Sequence, residues 1–282
     1  MNILVTGGAG FVGTNLIKEL LKQGHTVVSI DNYSTGLKSN HQQGCVYYEY
    51  DIRTINDYRA FGKFDVVYHL AAIARIQPSF DNPEEYFTTN AAATMKLAKW
   101  CSADNIPIVY AGSSSHHSGK FKNPYTFSKD IGEEIIRLFQ IHYGLQASIA
   151  RFYNVYGPYQ LTEGNYCTLI GIWERCIQDG RPLTIYGDGT KRRDFTHVED
   201  IVNGLISINT KKAWGHIFEL GRGKNHSVLE IAHMFQNATI AFGPDRPGEA
   251  RETLCVDTTA RDVLDWHPIR DIQDYIHNIY NK

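Results

Sequence analysis

Short apolar runs punctuate the first half of the chain, and longer stretches with apolar positions at helical spacing separate them. The runs predict strands at 3–6, 26–31, 46–50, 66–70, 108–112 and 147–151. The periodic stretches predict helices at 16–23, 83–102 and 125–143. Short strands alternating with helices require right-handed crossovers, and therefore a parallel sheet covered on both faces: an α/β, doubly wound architecture. Beyond residue 155 the pattern changes. A helix is predicted at 164–178 and a short strand at 183–187, turning at Gly187-Asp188-Gly189, followed by mixed short signals to Lys282. The expected organisation is a nucleotide-binding domain over 1–155, with part of the later chain returning to it, and a smaller mixed α/β C-terminal cap over 156–282. In such sheets ligands bind outside the carboxyl ends of the strands, so the loops there and the cap should carry the site.

The first such loop has a specific form. The strand ending at Thr6 runs into Gly7, Gly10 and Gly13, spaced G-x-x-G-x-x-G, and an amphipathic stretch from Phe11 to Gln23 follows at once. Strand, glycine loop and helix in that order suit a dinucleotide pyrophosphate. Gly7 permits the tight turn, Gly10 lets the backbone approach the phosphates, and Gly13 lets the helix pack closely with its amide-rich end facing the anion. The next strand ends in Asp31, eighteen residues after Gly13. An acid there accepts hydrogen bonds from the adenosine ribose and repels a 2′-phosphate, which argues for NAD over NADP.

Composition removes several function classes. The chain has 282 residues, a formal net charge of −2 and only one short basic run, Lys191-Arg192-Arg193, so it offers no field for nucleic acid. Its five cysteines are scattered without a CxxC pair, as expected of reduced thiols in the cytoplasm. The twelve histidines show no metal-ligand spacing, and no metal is expected. An apolar strand at the very start leaves no room for a signal peptide, and no apolar run is long enough for a membrane span.

Reactive groups are found further along. Asn123-Pro124 opens a helix on which Tyr125 and Lys129, four positions apart, share a face. A phenol with an ordinary pKa of about 10 is a poor base at neutral pH, and a neighbouring ammonium shifts it toward usefulness. The strand at 108–112 runs into Ser113-Ser114-Ser115, where a hydroxyl can bond a reacting hydroxyl and its developing oxyanion.

Tyr125 and Lys129 sit within one of nine ordered motifs: TGGAGFVG (6–13), DNYSTG (31–36), YDI (50–52), HLAA (69–72), PYTFSK (124–129), RFYNVYGP (151–158), YGDGTKRRDFTHVED (186–200), GRG (221–223) and DRPGEARE (245–252). Together they resemble the extended short-chain dehydrogenase/reductase family, in particular its nucleotide-sugar 4-epimerases and 4,6-dehydratases, over almost the whole chain. The resemblance implies a Rossmann-like domain binding NAD, a cap binding a nucleotide-diphosphate sugar, and a homodimer. Gly7, Gly10, Phe11 and Val12 would cradle the pyrophosphate. Asp31 and Asn32, with the Ser34-Thr35-Gly36 turn, would hold the adenosine ribose, and Asp51 and Ile52 would flank adenine. Leu70, Ala71, Ala72 and Tyr153 would line the cofactor trough, with Asn90 beneath. Tyr125 and Lys129 match the catalytic pair, supported by Ser113 or Ser114. Asn154 and Tyr186 would contact the substrate, Arg193 and Arg246 its phosphates, and Glu249 the nucleotide ribose. The dimer would pack the helices after Pro83 and at Tyr125, along Ile131, Ile135, Leu138 and Phe139.

The family oxidises C4 of the sugar, and neighbouring residues decide the fate of the resulting ketone. Dehydratases and decarboxylating relatives carry a carboxylate just after the catalytic Ser/Thr, whereas this chain has Ser114-Ser115-His116-His117. Epimerisation at C4 needs no such group and is the expected reaction. The alternatives are a 4,6-dehydratase, a 4-dehydrogenase/reductase and, from another class, a non-catalytic NAD-sensing regulator; a reductase of small ketones is disfavoured by Asp31 and the cap arginines. Two departures stand out. Only eleven residues separate Ser113 from Tyr125, a loop shorter than the family's, and His116 or His117 offers an extra acid/base. Thr253, smaller than the tyrosine found in some 4-epimerases, would leave room for an N-acetyl group at C2.

Overall fold

The computed structural model describes residues 1–280. It begins β1 (Asn2–Thr6), α1 (Phe11–Lys22), β2 (Thr26–Asp31), β3 (Cys45–Glu49), β4 (Val66–His69). Two short helices, α2 (Gln77–Asp81) and α3 (Pro83–Phe87), precede α4 (Ala93–Ala103), β5 (Ile108–Ser113), α5 (Pro124–Tyr143) and β6 (Ala147–Phe152). The later chain contributes β7 (Asn154–Tyr156), α6 (Leu169–Gln178), β8 (Leu183–Tyr186), β9 (Arg192–His197), α7 (Val198–Thr210) and β10 (Ile217–Leu220). It continues with β11 (Asn225–Ser227), α8 (Val228–Met234), β12 (Ile240–Gly243), α9 (Thr259–Leu264) and α10 (Ile272–Tyr280).

Seven strands form one parallel sheet in the order β10-β6-β5-β4-β1-β2-β3, the doubly wound Rossmann-like arrangement expected from the alternation. Strand order reverses between β1 and β4, and the crevice opens at their carboxyl ends. Alternation along β1 sends Leu4 into the core on one face of the sheet and Ile3 and Val5 into the core on the other. The first core is closed by α4 and α5, the second by α1 and α7. Residues of α7, β10 and α9, including Leu205, Phe218 and Leu264, therefore pack with the first half of the chain. A third core around Trp173, Phe195 and Phe235 holds two small sheets, β11-β9-β7 and β12-β8.

Two elements differ from the periodicity. The stretch expected as one helix over 83–102 is broken: a wide π-helical turn, Thr88–Ala92, separates α3 from α4. The turn carries Asn90, whose amide bonds both backbone groups of Ile73 and the Ser128 hydroxyl. That tertiary bracing overrides the local helical register. The helix expected over 164–178 starts only at Leu169, because the Thr168 hydroxyl caps it by accepting from Gly171 N at 3.1 Å, and 164–168 remain a loop. No helix among the described residues is long and apolar enough to cross a membrane.

Candidate active site

A cleft of about 1320 Å³ runs along the carboxyl ends of the central strands and under the cap. Its floor begins with the glycine turn. Gly7 has φ +73°, and a Cβ there would lie 2.8 Å from Ala71 N; a Cβ on Gly13 would lie 2.2 Å from Gly7 O. A Cβ on Gly10 would meet only Gly7 O, at 3.3 Å. The loop thus leaves a backbone cradle open at Gly10, before the start of α1, as a pyrophosphate requires. Asp31 is buried at the end of β2, its carboxylate accepting from Ala9 N (2.9 Å) and Tyr33 N (2.8 Å). Burial pushes its pKa up and these amides oppose the rise. Asn32 donates to Asp51, which pairs with Arg53 at 2.6 Å.

The reacting end lies where β5 meets α5. Asn123 caps α5 by accepting from Thr126 N (2.8 Å), and Pro124 occupies the first turn. The Tyr125 hydroxyl donates to Ser113 Oγ at 3.1 Å, and Ser113 Oγ lies 2.9 Å from Ser115 Oγ. Burial raises the Tyr125 pKa, while the Ser113 hydroxyl and then the Arg75 charge pull it down. Lys129 faces the same cleft from one turn further along α5. Its ammonium donates to Ala111 O (2.6 Å) and Tyr110 Oη (3.1 Å), and burial brings its pKa down to about 8. The Ser113 hydroxyl thus bonds the phenol and the Arg75 charge acts on it, while the Lys129 ammonium is anchored to β5.

The opposite wall belongs to the cap. Arg193 lies 3.4 Å from Glu249, Lys191 pairs with Asp245 and, at 3.5 Å, with Glu249, and the Arg246 guanidinium stacks 3.5 Å from the Tyr186 ring. Asn154 donates to Asp194 O and Thr253 Oγ1, both at 3.0 Å.

The profile of the NAD dependent epimerase/dehydratase family matches residues 3–221. The chain belongs to that family. Among its relatives, the UDP-glucose 4-epimerase of Mycolicibacterium smegmatis is 30% identical over 95% of this chain and 94% of its own length. A UDP-N-acetyl-alpha-D-glucosaminuronate decarboxylase of Bacillus cytotoxicus is 29% identical over 84% of this chain and 79% of its own. The structure of a UDP-glucuronic acid 4-epimerase from Bacillus cereus, in complex with UDP-glucuronic acid and NAD, superposes with a TM-score of 0.90 at 27% identity, covering 100% of this chain and 98% of that one.

Within this family member the cleft collects every residue assigned above to cofactor, substrate or catalysis except Gly36 and Asn90, and it leaves out His116 and His117. Gly36 is buried against Ala9 and the Asp31 carboxylate, and Asn90 spends its amide on Ile73 and Ser128 behind the wall. His116 and His117, on the short 3-10 turn Ser114–Ser118, face buried carboxylates: Nδ1 of His116 is 3.0 Å from Asp130 and Nε2 of His117 is 2.9 Å from Glu219. Glu219 and Glu133 flank Arg151 in a buried ion network beneath the serine turn. His116, Asp130 and Glu133 come close enough to share a cation, yet Arg151 already neutralises Glu133. Sequence reasoning missed Arg75 and the network. Both left the same trace, a charged residue inside an otherwise apolar run (70–76 and 147–152).

Proposed function

We propose that the protein inverts C4 of a UDP-sugar through a transient 4-keto sugar, with Tyr125 as base. The observation that carries this reading is the Tyr125–Ser113 hydroxyl pair facing the cleft at 3.1 Å, with no carboxylate bonded to either among the described residues. Elimination of water needs a second acid/base there; epimerisation does not.

NAD is the cofactor of this enzyme, and the cradle at Gly7, Gly10, Phe11 and Val12, the Asp31 carboxylate with Asn32, Ser34 and Thr35, and the trough of Leu70, Ala71, Ala72 and Tyr153 fit it. Asp51 and Ile52 would flank the adenine. Held there, NAD would supply a reversible hydride acceptor for C4, so no net reduction would result. Tyr125, as the phenolate, takes the C4 hydroxyl proton and gives it back to the same oxygen, while Ser113, or Ser114 beside it, donates to that oxygen as charge develops. Lys129, whose ammonium is fixed by Tyr110 and Ala111, is the cation of the pair and favours the phenolate in this reading. Arg193 and Arg246 present guanidinium groups to the diphosphate, with Asn154, Tyr186 and Glu249 around the nucleotide.

Residues 1–155 with the returning α7, β10 and α9 form the cofactor layer in this reading, and the remainder forms the cap. A homodimer is supported by apolar side chains on the outer face of α4 and α5: Met95, Leu138 and Ile141 are exposed, whereas Ile135 and Phe139 serve the chain's own core. Thr253 leaves space beside C2, so N-acetylated sugars are accepted; turnover of the non-acetylated pair alone would count against that role.

The test is product analysis by NMR on the NAD-loaded protein with UDP-sugars. The expected product is the C4 epimer with all sugar carbons retained and no net NADH. Loss of water or carbon dioxide, or accumulation of NADH, would replace this reading with a dehydratase, a decarboxylase or a dehydrogenase.

A further inference from the structure

Arg75 is the sole charged residue on the loop joining β4 to α2, and it lines the cleft. Its Nε donates to Tyr166 O at 2.8 Å and its Nη1 to Ala74 O at 3.0 Å. Both acceptors are neutral carbonyls. No carboxylate pairs with this guanidinium among the described residues, whereas Arg53, Arg151, Arg193 and Arg222 each have one. Burial lowers the Arg75 pKa with only the Tyr125 and Tyr86 phenols and the Cys167 thiol to oppose it, none of them a carboxylate. Its charge also acts on the Tyr125 phenol, which puts it at the reacting end of the cleft.

A partly buried guanidinium held only by neutral oxygens is costly to keep unless the ligand brings an anion. The diphosphate has its own cations on the cap wall, where Lys191, Arg193 and Arg246 gather around Glu249 and Tyr186. A second anion is then needed beside the C4 hydroxyl. The group attached next to C4 on the pyranose, beyond the ring carbon C5, is C6. We propose that Arg75 receives a carboxylate borne on C6, and that the substrates are nucleoside-diphosphate hexuronic acids. This rests on the C4-epimerase reading. Two amines of the planar fork suit the two oxygens of a carboxylate, and a neutral hydroxymethyl group would leave the charge unanswered.

Equilibrium binding of UDP-glucuronate, UDP-glucose and UDP to the NAD-loaded protein tests the assignment, with Arg75→Gln and Arg75→Lys alongside. The expected result is that UDP-glucuronate binds at least 30-fold more tightly than UDP-glucose to the natural protein. That ratio should collapse toward one in Arg75→Gln and recover in part in Arg75→Lys. Affinities within threefold of each other in the natural protein would overturn the proposal. So would an Arg75→Gln variant that weakens all three ligands, UDP included, by one common factor, since the arginine would then serve the diphosphate. NMR of the same mixtures reports separately on the reaction. Absence of C4 inversion for every sugar would sink the epimerase reading while the affinity ratio still decides the role of Arg75.

Discussion

On the sheet side of the cleft, position is set by backbone and burial: Gly13 abuts Gly7, Asp31 is clasped by two amides, and Lys129 is clamped to β5. On the cap side, Arg193, Lys191 and Glu249 hold one another across segments almost sixty residues apart, at partly exposed positions. The first wall cannot change a residue without moving the sheet. The second is held by side-chain pairs, Arg193–Glu249 at 3.4 Å and Lys191–Glu249 at 3.5 Å, rather than by packed backbone. Chemistry common to the family suits the rigid wall, and recognition of particular sugars suits the adaptable one. Arg75 is instructive because it places a recognition charge on the rigid side.

The sharpest blow to this contrast is Tyr125→Phe. Loss of a positioned base removes on the order of 100- to 10,000-fold in rate, and turnover should fall by that much while NAD, measured by fluorescence titration, still binds. A variant retaining a tenth of the activity would remove Tyr125 from the mechanism. Next comes the buried lysine. Its folded pKa of about 8 lies below the ordinary lysine value, so between those two the unfolded chain binds more protons than the folded one. Stability contributed by this group should therefore rise with pH from about 8 to 10.5, by at most about 3 kcal/mol, and stay flat below that window. Urea unfolding across the range, with NMR titration of the Lys129 ammonium, reads it; an ammonium titrating at the ordinary lysine value would show that the site is wetter than its burial implies. The smallest effect belongs to the cap. Arg193→Ala should weaken UDP about tenfold yet alter unfolding free energy by less than ~2 kcal/mol, between the values for an exposed and a buried pair. A larger stability loss would mean that the cap wall is as fixed as the sheet wall.

The same contrast explains what was legible in the sequence. The β1–α1–β2 unit announces itself because glycine spacing, apolar alternation and the terminal Asp31 all lie within thirty-one residues. The Tyr125–Lys129 pair was readable for the same reason, since one helix carries both. What local pattern does not convey is tertiary demand. The π-helical turn exists to deliver Asn90 to Ile73, and nothing in the periodicity of 83–102 signals it. The Thr168 cap was present as a residue type but was outweighed by the apolar repeat around it. Arg75 shows the deeper limit: its unpaired state depends on which carboxylates fail to reach it, a property of the folded neighbourhood alone.

Asn123 joins the two walls. Its Oδ1 caps α5 at Thr126 N, while its Nδ2 donates 3.2 Å to Gly248 O on the segment that bears Arg246 and Glu249. Gln77 makes a parallel tether, donating 2.8 Å to Pro247 O. This strap is therefore buttoned to the sheet side of the cleft by two side-chain amides gripping main-chain oxygens. Because this grip falls on main-chain oxygens, it fixes where the strap sits against α5 and α2 without itself engaging the side chains of Arg246 and Glu249.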